Sequence, residues 1–305
     1  MKKIVPILLI SLLILTGCKV GSVSKSDRTG DYDYRTGTEG LVMSFPVEMP
    51  TKMYEGDSNV KSVVEIQNKG AYPQTGTLSA SFWITGYDTK IITIALDSGN
   101  ELNTLMGKNQ YNTEGDLTAI GFDTSITALP DGVSYFTQNL QFTLTYGYET
   151  LANPIVCIDT EPRGTTVRNK VCTVQDVSLS SQGGPVAVKK VEQDVASDKI
   201  LFKILVENVG GGMVIAKDDV SKNPDEGYDW NKINKVTITA NLGSTALDCK
   251  PTGDIKLTNN KGYIYCSIQK STLGTNVYTT PLNIKVDYGY SISTTKKIDI
   301  FDSTN

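Results

Sequence analysis

Histidine does not occur in this chain. Its absence removes the commonest general base, the base of Ser/His/Asp catalysis and the commonest metal ligand. Zinc hydrolases built on paired histidines are thereby excluded. Cysteine is sparse, with five residues, and none form Cys-x-x-Cys, which argues against a zinc knuckle or a dithiol redox centre. No basic block is present and the formal net charge is −4, so the chain lacks the electrostatic footprint of a DNA- or RNA-binding protein. Gly-x-Ser-x-Gly is missing, and Gly210-Gly211-Gly212 is not followed by the Lys-Ser/Thr that a phosphate loop needs. These absences predict a protein that is not an enzyme and carries no organic cofactor. Long apolar runs are also lacking. The single run, Ile4 to Leu15, is 12 residues and is broken by Ser11, whereas a spanning helix needs about 20.

What the N-terminus does have is a charged head, Lys2 and Lys3, then the short apolar core, then Leu15-Thr16-Gly17-Cys18. Charge, short core and small residues before a cut define a secretory signal peptide over residues 1–17. The tetrad ending in Cys18 resembles the lipobox of prokaryotic lipoproteins. That resemblance implies lipidation of Cys18 and a membrane partner reached through the N-terminal lipid, on the extracytoplasmic side (cell surface or periplasm). A plain secretory signal that happens to end in Cys is the alternative. Removing residues 1–17 takes away two lysines and no acid, so 27 basic and 33 acidic residues leave −6.

Export gives the other cysteines a meaning. Cys157, Cys172, Cys249 and Cys266 are an even set in an oxidising compartment, which favours disulfides. Of three pairings, Cys157–Cys172 and Cys249–Cys266 close the shortest loops, each worth about 3 kcal/mol on a chain-entropy basis. Residues 18–39 are rich in Ser, Thr, Gly and Asp and read as a flexible tether after the lipidated Cys. Asp31-Tyr32-Asp33-Tyr34 alternates within it, which leaves open that part of it docks as an edge strand.

From Leu41 onward the apolar period is two. Expected strands include Val60–Gln67, Leu78–Thr85, Leu117–Phe122, Tyr135–Tyr148, Val186–Val191, Ile200–Glu207, Lys235–Leu242, Gly262–Ile268, Leu282–Tyr290 and Lys297–Phe301. Asn259-Asn260-Lys261 is a hairpin-turn candidate, and Val214 to Ser221 is the one plausible helical piece. Two features recur in the same order. Asn-x-Gly ends a strand at Asn68 and at Asn208, and Tyr-Gly-Tyr stands at 146–148 and 288–290; the Asn-to-Tyr separations are 78 and 80. This is the signature of a tandem duplication. The fold class predicted is all-β, as two tandem antiparallel sandwiches at 40–160 and 185–305, joined by a disulfide-bearing connection at 161–184; the resemblance given below implies that each is immunoglobulin-like.

Strand parity puts the four tyrosines of the Tyr-Gly-Tyr pairs on the inward face, with each Gly outward. Asn-x-Gly reads as turn chemistry, the Asn side chain bonding its own backbone and the Gly supplying open φ/ψ. The segment 217–230 has no counterpart in the first copy and holds Asp218, Asp219, Asp225, Glu226 and Asp229. Such oxygen donors suit Ca²⁺, although the spacing is not that of an EF-hand and a solvated acidic loop is the alternative.

The strand running into Asn-x-Gly (Val63 to Gly70; Leu201 to Gly210) and the alternating strand after it (Leu78 to Thr85; Val236 to Leu242) resemble the CARDB-type immunoglobulin-like modules of prokaryotic surface proteins. Val156-Cys157-Ile158-Asp159 and Gly183-Gly184-Pro185-Val186-Ala187-Val188 look like phrases of archaeal surface proteins with tandem modules. The resemblance implies display, adhesion or envelope and protein interaction, with other surface proteins or glycans as partners and no named ligand. Two alternatives stand beside it. One is a fimbria-like or surface-layer subunit that assembles by strand addition. The other is a glycan- or solute-binding lipoprotein using outward aromatics such as Trp83 or Trp230.

Overall fold

The computed structural model describes residues 33–46, 49–102, 105–164 and 170–303. Cys18, the signal peptide and the tether as far as residue 32 lie outside the described residues. Residues 32–305 form one compact unit. In the first sequence copy the strands are β1 (Leu41–Ser44), β2 (Lys52–Tyr54), β3 (Val60–Asn68), β4 (Ala80–Thr85), β5 (Ile92–Leu96), β6 (Leu117–Ile126), β7 (Tyr135–Ala152) and β8 (Ile155–Ile158). In the second they are β9 (Val177–Ser178), β10 (Val186–Val195), β11 (Lys199–Asn208), β12 (Met213–Ile215), β13 (Lys235–Leu242), β14 (Thr245–Ala246), β15 (Asp248–Lys250), β16 (Asp254–Lys256), β17 (Lys261–Gln269) and β18 (Tyr278–Phe301). The expected helical piece is a 3₁₀ turn at Lys217–Asp219.

The strands make three sheets rather than two separate sandwiches. A four-stranded sheet runs β1-β3-β6-β5, a five-stranded sheet β15-β17-β11-β10-β9, and a nine-stranded sheet has β14-β13-β18-β7-β4 as its path. Pairing is antiparallel except between β2 and β18. The large sheet belongs to both copies. β7 and β18 pair from Ala152↔Ile284 to Tyr135↔Phe301, with Tyr148 opposite Tyr288, Gly147 opposite Gly289 and Tyr146 opposite Tyr290. The boundary at 161–184 therefore divides two sequence copies and not two bodies. Leu282–Tyr290 and Lys297–Phe301, expected as two strands, are parts of β18; the polar run Ser291 to Lys297 between them keeps its ladder to β7.

The two small sheets lie over one face of the large one. Phe142 on β7 packs against Phe122 on β6 (centroids 5.8 Å), while Tyr288 on β18 accepts the Val186 N–H of β10 at 3.1 Å. Because Tyr148 and Tyr288 are cross-strand partners, they point the same way. Each small sheet buries one face: Val64, Ile66 and Asn68 on β3, and Phe202, Ile204 and Val206 on β11, alternate with more exposed residues. One apolar core runs through both copies. The disulfides are Cys157–Cys172 and Cys249–Cys266. The second links directly opposed residues of β15 and β17. Asn259 and Asn260 have φ of 51° and 66°, the double left-handed turn that a tight hairpin needs.

The opposite face of the large sheet is covered by the segment after β12. Thr145 donates its hydroxyl to Val220 O at 2.5 Å, and Lys217 pairs with Asp287 at 2.9 Å. Gly289 lies beneath this segment; a Cβ there would stand 2.7 Å from Ala216 O. At Gly147 a Cβ would meet nothing nearer than the flexible Lys217 stem at 3.6 Å and Ser79 O at 3.9 Å, ordinary contact distances. Gly289→Ala should therefore cost about 1–3 kcal/mol and Gly147→Ala well under that. Urea unfolding of both variants checks this, and equal midpoints would contradict it.

Candidate functional site

Four tyrosines occupy the crossing of the two copies, all within 2 % of full burial. Their rings touch in a closed circuit: Tyr146–Tyr148, Tyr146–Tyr290, Tyr148–Tyr288 and Tyr288–Tyr290, with centroids 5.7 to 6.2 Å apart. The hydroxyls of Tyr148 and Tyr290 reach loops of the small sheets, and that of Tyr288 meets the first residue of β10 and Thr150 of β7. The Tyr72 N–H donates to Tyr148 Oη (3.2 Å) and the Gly212 N–H to Tyr290 Oη (2.9 Å); both donors stand four residues after the repeated Asn. Asn68 donates to Tyr72 O and Leu105 O and accepts from the Gly70 N–H, and Asn208 donates to Gly212 O and accepts from the Gly210 N–H. The same device is thus built twice. It also explains the Gly of Asn-x-Gly. Neither Gly70 nor Gly210 is among the positive-φ glycines, but a Cβ at either would fall on a tyrosine hydroxyl, Tyr148 or Tyr290. Space, not backbone freedom, requires these glycines. The tyrosine circuit holds the two copies together.

The acidic loop does not gather its carboxylates. Asp225 and Asp229 serve local turns: the Asp225 N–H is held by Asn223, and Asp229 accepts from the Asn231 N–H. Among the described residues no three His, Cys, Asp or Glu side chains converge as a metal site would require. Asp218, Asp219, Asp225, Glu226 and Asp229 are spread along a segment that packs on the large sheet. The insertion is a cover joining the two copies, since Thr145 of the first holds Val220 of the second.

The tether is corrected in part as well. Its described end is docked, with the Gly37 N–H on Ser181 Oγ (3.0 Å), the Gly183 N–H on Gly37 O (3.2 Å) and Lys108 Nζ on Thr36 O (2.7 Å).

The concave feature of most interest lies beside β1. A groove of about 370 Å³ is lined by Leu41, Met43 and Phe45 on one side, Gly210 and Gly211 on the other, with Tyr146, Tyr290 and Ile292 in its floor. β1 is an edge strand. Lys69 N–H bonds Gly40 O, so Val42 and Ser44 turn their main-chain groups to β3, and Met43 turns its N–H and C=O to the groove. Nothing among the described residues pairs with them. An unpaired edge above an apolar floor is the geometry that accepts an added strand.

Outward aromatics are placed as follows. Trp230 is 69 % exposed. Trp83 is half-buried, and its indole N–H has no partner among the described residues. Tyr263 and Tyr265 form a T-shaped pair (5.5 Å) on the outer face of β17, with Lys203 Nζ 5.4 Å from the Tyr263 ring. The sequence held a signal for this pair, because Cys266 and Ile264 point inward and fix the opposite parity for Tyr263 and Tyr265. The signal for the β1 groove was weaker, since Leu41 to Ser44 is too short to show alternation.

No family model and no curated protein matches the chain. Among solved structures, similarity is found to the CupB6 tip adhesin of Pseudomonas aeruginosa (TM-score 0.18, 10 % identity, 88 % of this chain and 96 % of that one). It is also found to the collagen adhesin CNA of S. aureus (0.15, 9 %, 88 % and 93 %) and to the collagen-binding domain of the Erysipelothrix rhusiopathiae surface protein RspB (0.13, 9 %, 88 % and 96 %). All-β adhesins thus recur among the matches, but TM-scores this low carry no argument about fold or function.

The tyrosine circuit has a pH consequence. Burial pushes the hydroxyls of Tyr146, Tyr148, Tyr288 and Tyr290 above their ordinary value. A folded-state pKa above the unfolded one leaves stability intact below about pH 10 and erodes it above, by about 1.4 kcal/mol per pH unit for each tyrosine kept neutral. Stability should be flat near neutrality and fall steeply above about pH 10. Tyr148→Phe should soften that fall while costing about 1–3 kcal/mol at neutral pH through the Tyr72 N–H and Gly183 O that it strands. Urea unfolding across pH, with tyrosinate absorbance as a second probe, checks both; stability unchanged well into the alkaline range would contradict the assignment.

Proposed function

We propose that this protein is an exported, lipid-anchored surface protein that presents one rigid β-body for adhesion or envelope contacts, and that it is not an enzyme. The observation that carries the interaction reading is the open edge of β1 over its apolar groove. Export is supported by the N-terminal charge, apolar core and small-residue pattern together with two closed disulfides, which belong to oxidising compartments. Lipidation at Cys18 rests on the lipobox resemblance. A protein with more than one lipid chain stays on a bilayer, whereas one chain holds only marginally.

The same edge favours assembly by strand addition over simple display as the mode of contact, since main-chain pairing supplies affinity and alternate pockets supply selectivity. For the glycan-binding alternative, Tyr263 and Tyr265 offer a second aromatic surface beside Trp230, two rings facing solvent together. Phase partition of the expressed chain tests the anchor. The natural chain is expected in the detergent phase and Cys18→Ser in the aqueous phase; a Cys18→Ser protein that still partitions with detergent would refute lipidation at this residue.

A further inference from the structure

The second sequence copy shows what fills the slot that stands open beside β1. Leu41 lies opposite Asn68 and Val186 opposite Asn208, so Met43 corresponds to Val188. Around Val188 the edge is closed. The Gln182 amide accepts from the Val188 N–H (2.9 Å) and donates to Val188 O (3.1 Å). Leu179 N–H then bonds Lys189 O (2.9 Å), and Val177 and Ser178 pair with Val191 and Lys190. Val177 and Leu179 lie against the core. The filler is thus an extended segment, Asp176-Val177-Ser178-Leu179, that begins ten residues before the first residue of its strand.

The first copy has the same element at the same offset. Asp31-Tyr32-Asp33-Tyr34 begins ten residues before Leu41, with the acid leading and apolar residues at the positions of Val177 and Leu179. Yet this chain's own approach to β1 runs elsewhere, since Thr36 and Gly37 are bonded to Lys108, Ser181 and Gly183. Among the described residues no strand occupies the slot beside β1, and Asp31–Tyr34 has the sequence pattern of the segment that fills its counterpart.

Charge agrees. Lys296 stands at the Phe45 end of the groove, its ammonium 4.6 Å from that ring, and makes no ion pair among the described residues. That is the end where the leading acid of an added strand would lie, as Asp176 does when it pairs with Lys190 at 2.8 Å.

We propose that the groove beside β1 receives Asp31–Tyr34 of a second copy of this chain, antiparallel to β1, so that neighbouring molecules exchange or pass on strands. This deepens the interaction reading and rests on it. Exchange of an identical element is a low-cost route to assembly, and unclosed exchange gives a run of subunits.

The test uses residues 18–305 carrying Cys18→Ser, as a soluble full mature chain. Met43→Pro removes an N–H that β3 does not use, so the β1–β3 ladder survives while the slot is blocked. Ile292→Lys, which charges the groove floor, is a second acceptor variant should the first fail to fold. Tyr32→Lys with Tyr34→Lys disables the donor. Sedimentation velocity over a concentration series should show self-association of the parent, weakened at least about 30-fold in each variant. A mixture of donor-disabled and acceptor-disabled proteins should form one-to-one complexes, because one intact pair remains. A parent monomeric at every concentration, or variants that associate like the parent, would overturn the proposal. A labelled peptide of residues 174–183 separates the two levels. Its capture by a monomeric parent, lost in Met43→Pro, overturns the second-copy assignment and leaves the interaction reading standing. No capture and no self-association removes both.

Discussion

The antiparallel pairing of β7 with β18 is the constraint from which the rest of this structure follows. Two copies of one strand, each carrying Tyr-Gly-Tyr, meet with glycine opposite glycine. That register sends four tyrosine rings to one face and leaves the other flat enough for a covering segment. The hydroxyls of Tyr148 and Tyr290 are each received by a loop that follows a small-sheet strand, and that of Tyr288 by the Val186 N–H at the start of β10. A hydroxyl buried there without a partner would cost about 1–3 kcal/mol. The repeated Asn holds each receiving loop in shape, and the Gly two residues later makes room. Duplication of the sequence and fusion into one body are therefore the same fact seen at two scales.

Symmetry makes its departures informative. β10 is long, its edge closed by Gln182, Leu179 and β9; β1 is four residues long and its edge is open. The insertion after β12 exists in one copy only and lies across the sheet that both copies share. At this edge the two copies are not equivalent: it is closed in the second and, among the described residues, open in the first.

Much of the fold was legible from particular residues. Alternation in Val60–Asn68, Lys235–Leu242 and Lys261–Gln269 marked strands with one buried face, and the twin Asn and Tyr motifs at nearly equal spacing marked the duplication. An even number of cysteines and closeness in sequence pointed to the two pairs that form. What periodicity does not carry is which copy pairs with which. A strand buried on one face reads the same whether its neighbour comes from its own copy or the other. That is why two sandwiches were expected where one shared sheet exists. The break expected between Tyr290 and Lys297 had a similar cause: Ser291, Ser293, Thr294 and Thr295 look like loop, yet buried Ser291 lies under the segment that follows β12 and the others continue the ladder. The acidic segment was legible by its carboxylates, while its place on the sheet goes with the burial of Val220, which no period marks.

Native-state hydrogen exchange tests most directly whether the two copies are one body. The amides of β7 and β18 should be the most protected in the chain. The small sheets of both copies should reach exchange through the same global opening, with one free energy and one denaturant dependence. If the β1-β3-β6-β5 sheet opens as a unit while β10, β11 and β17 stay protected, or the reverse, the central pairing is not what holds the molecule together.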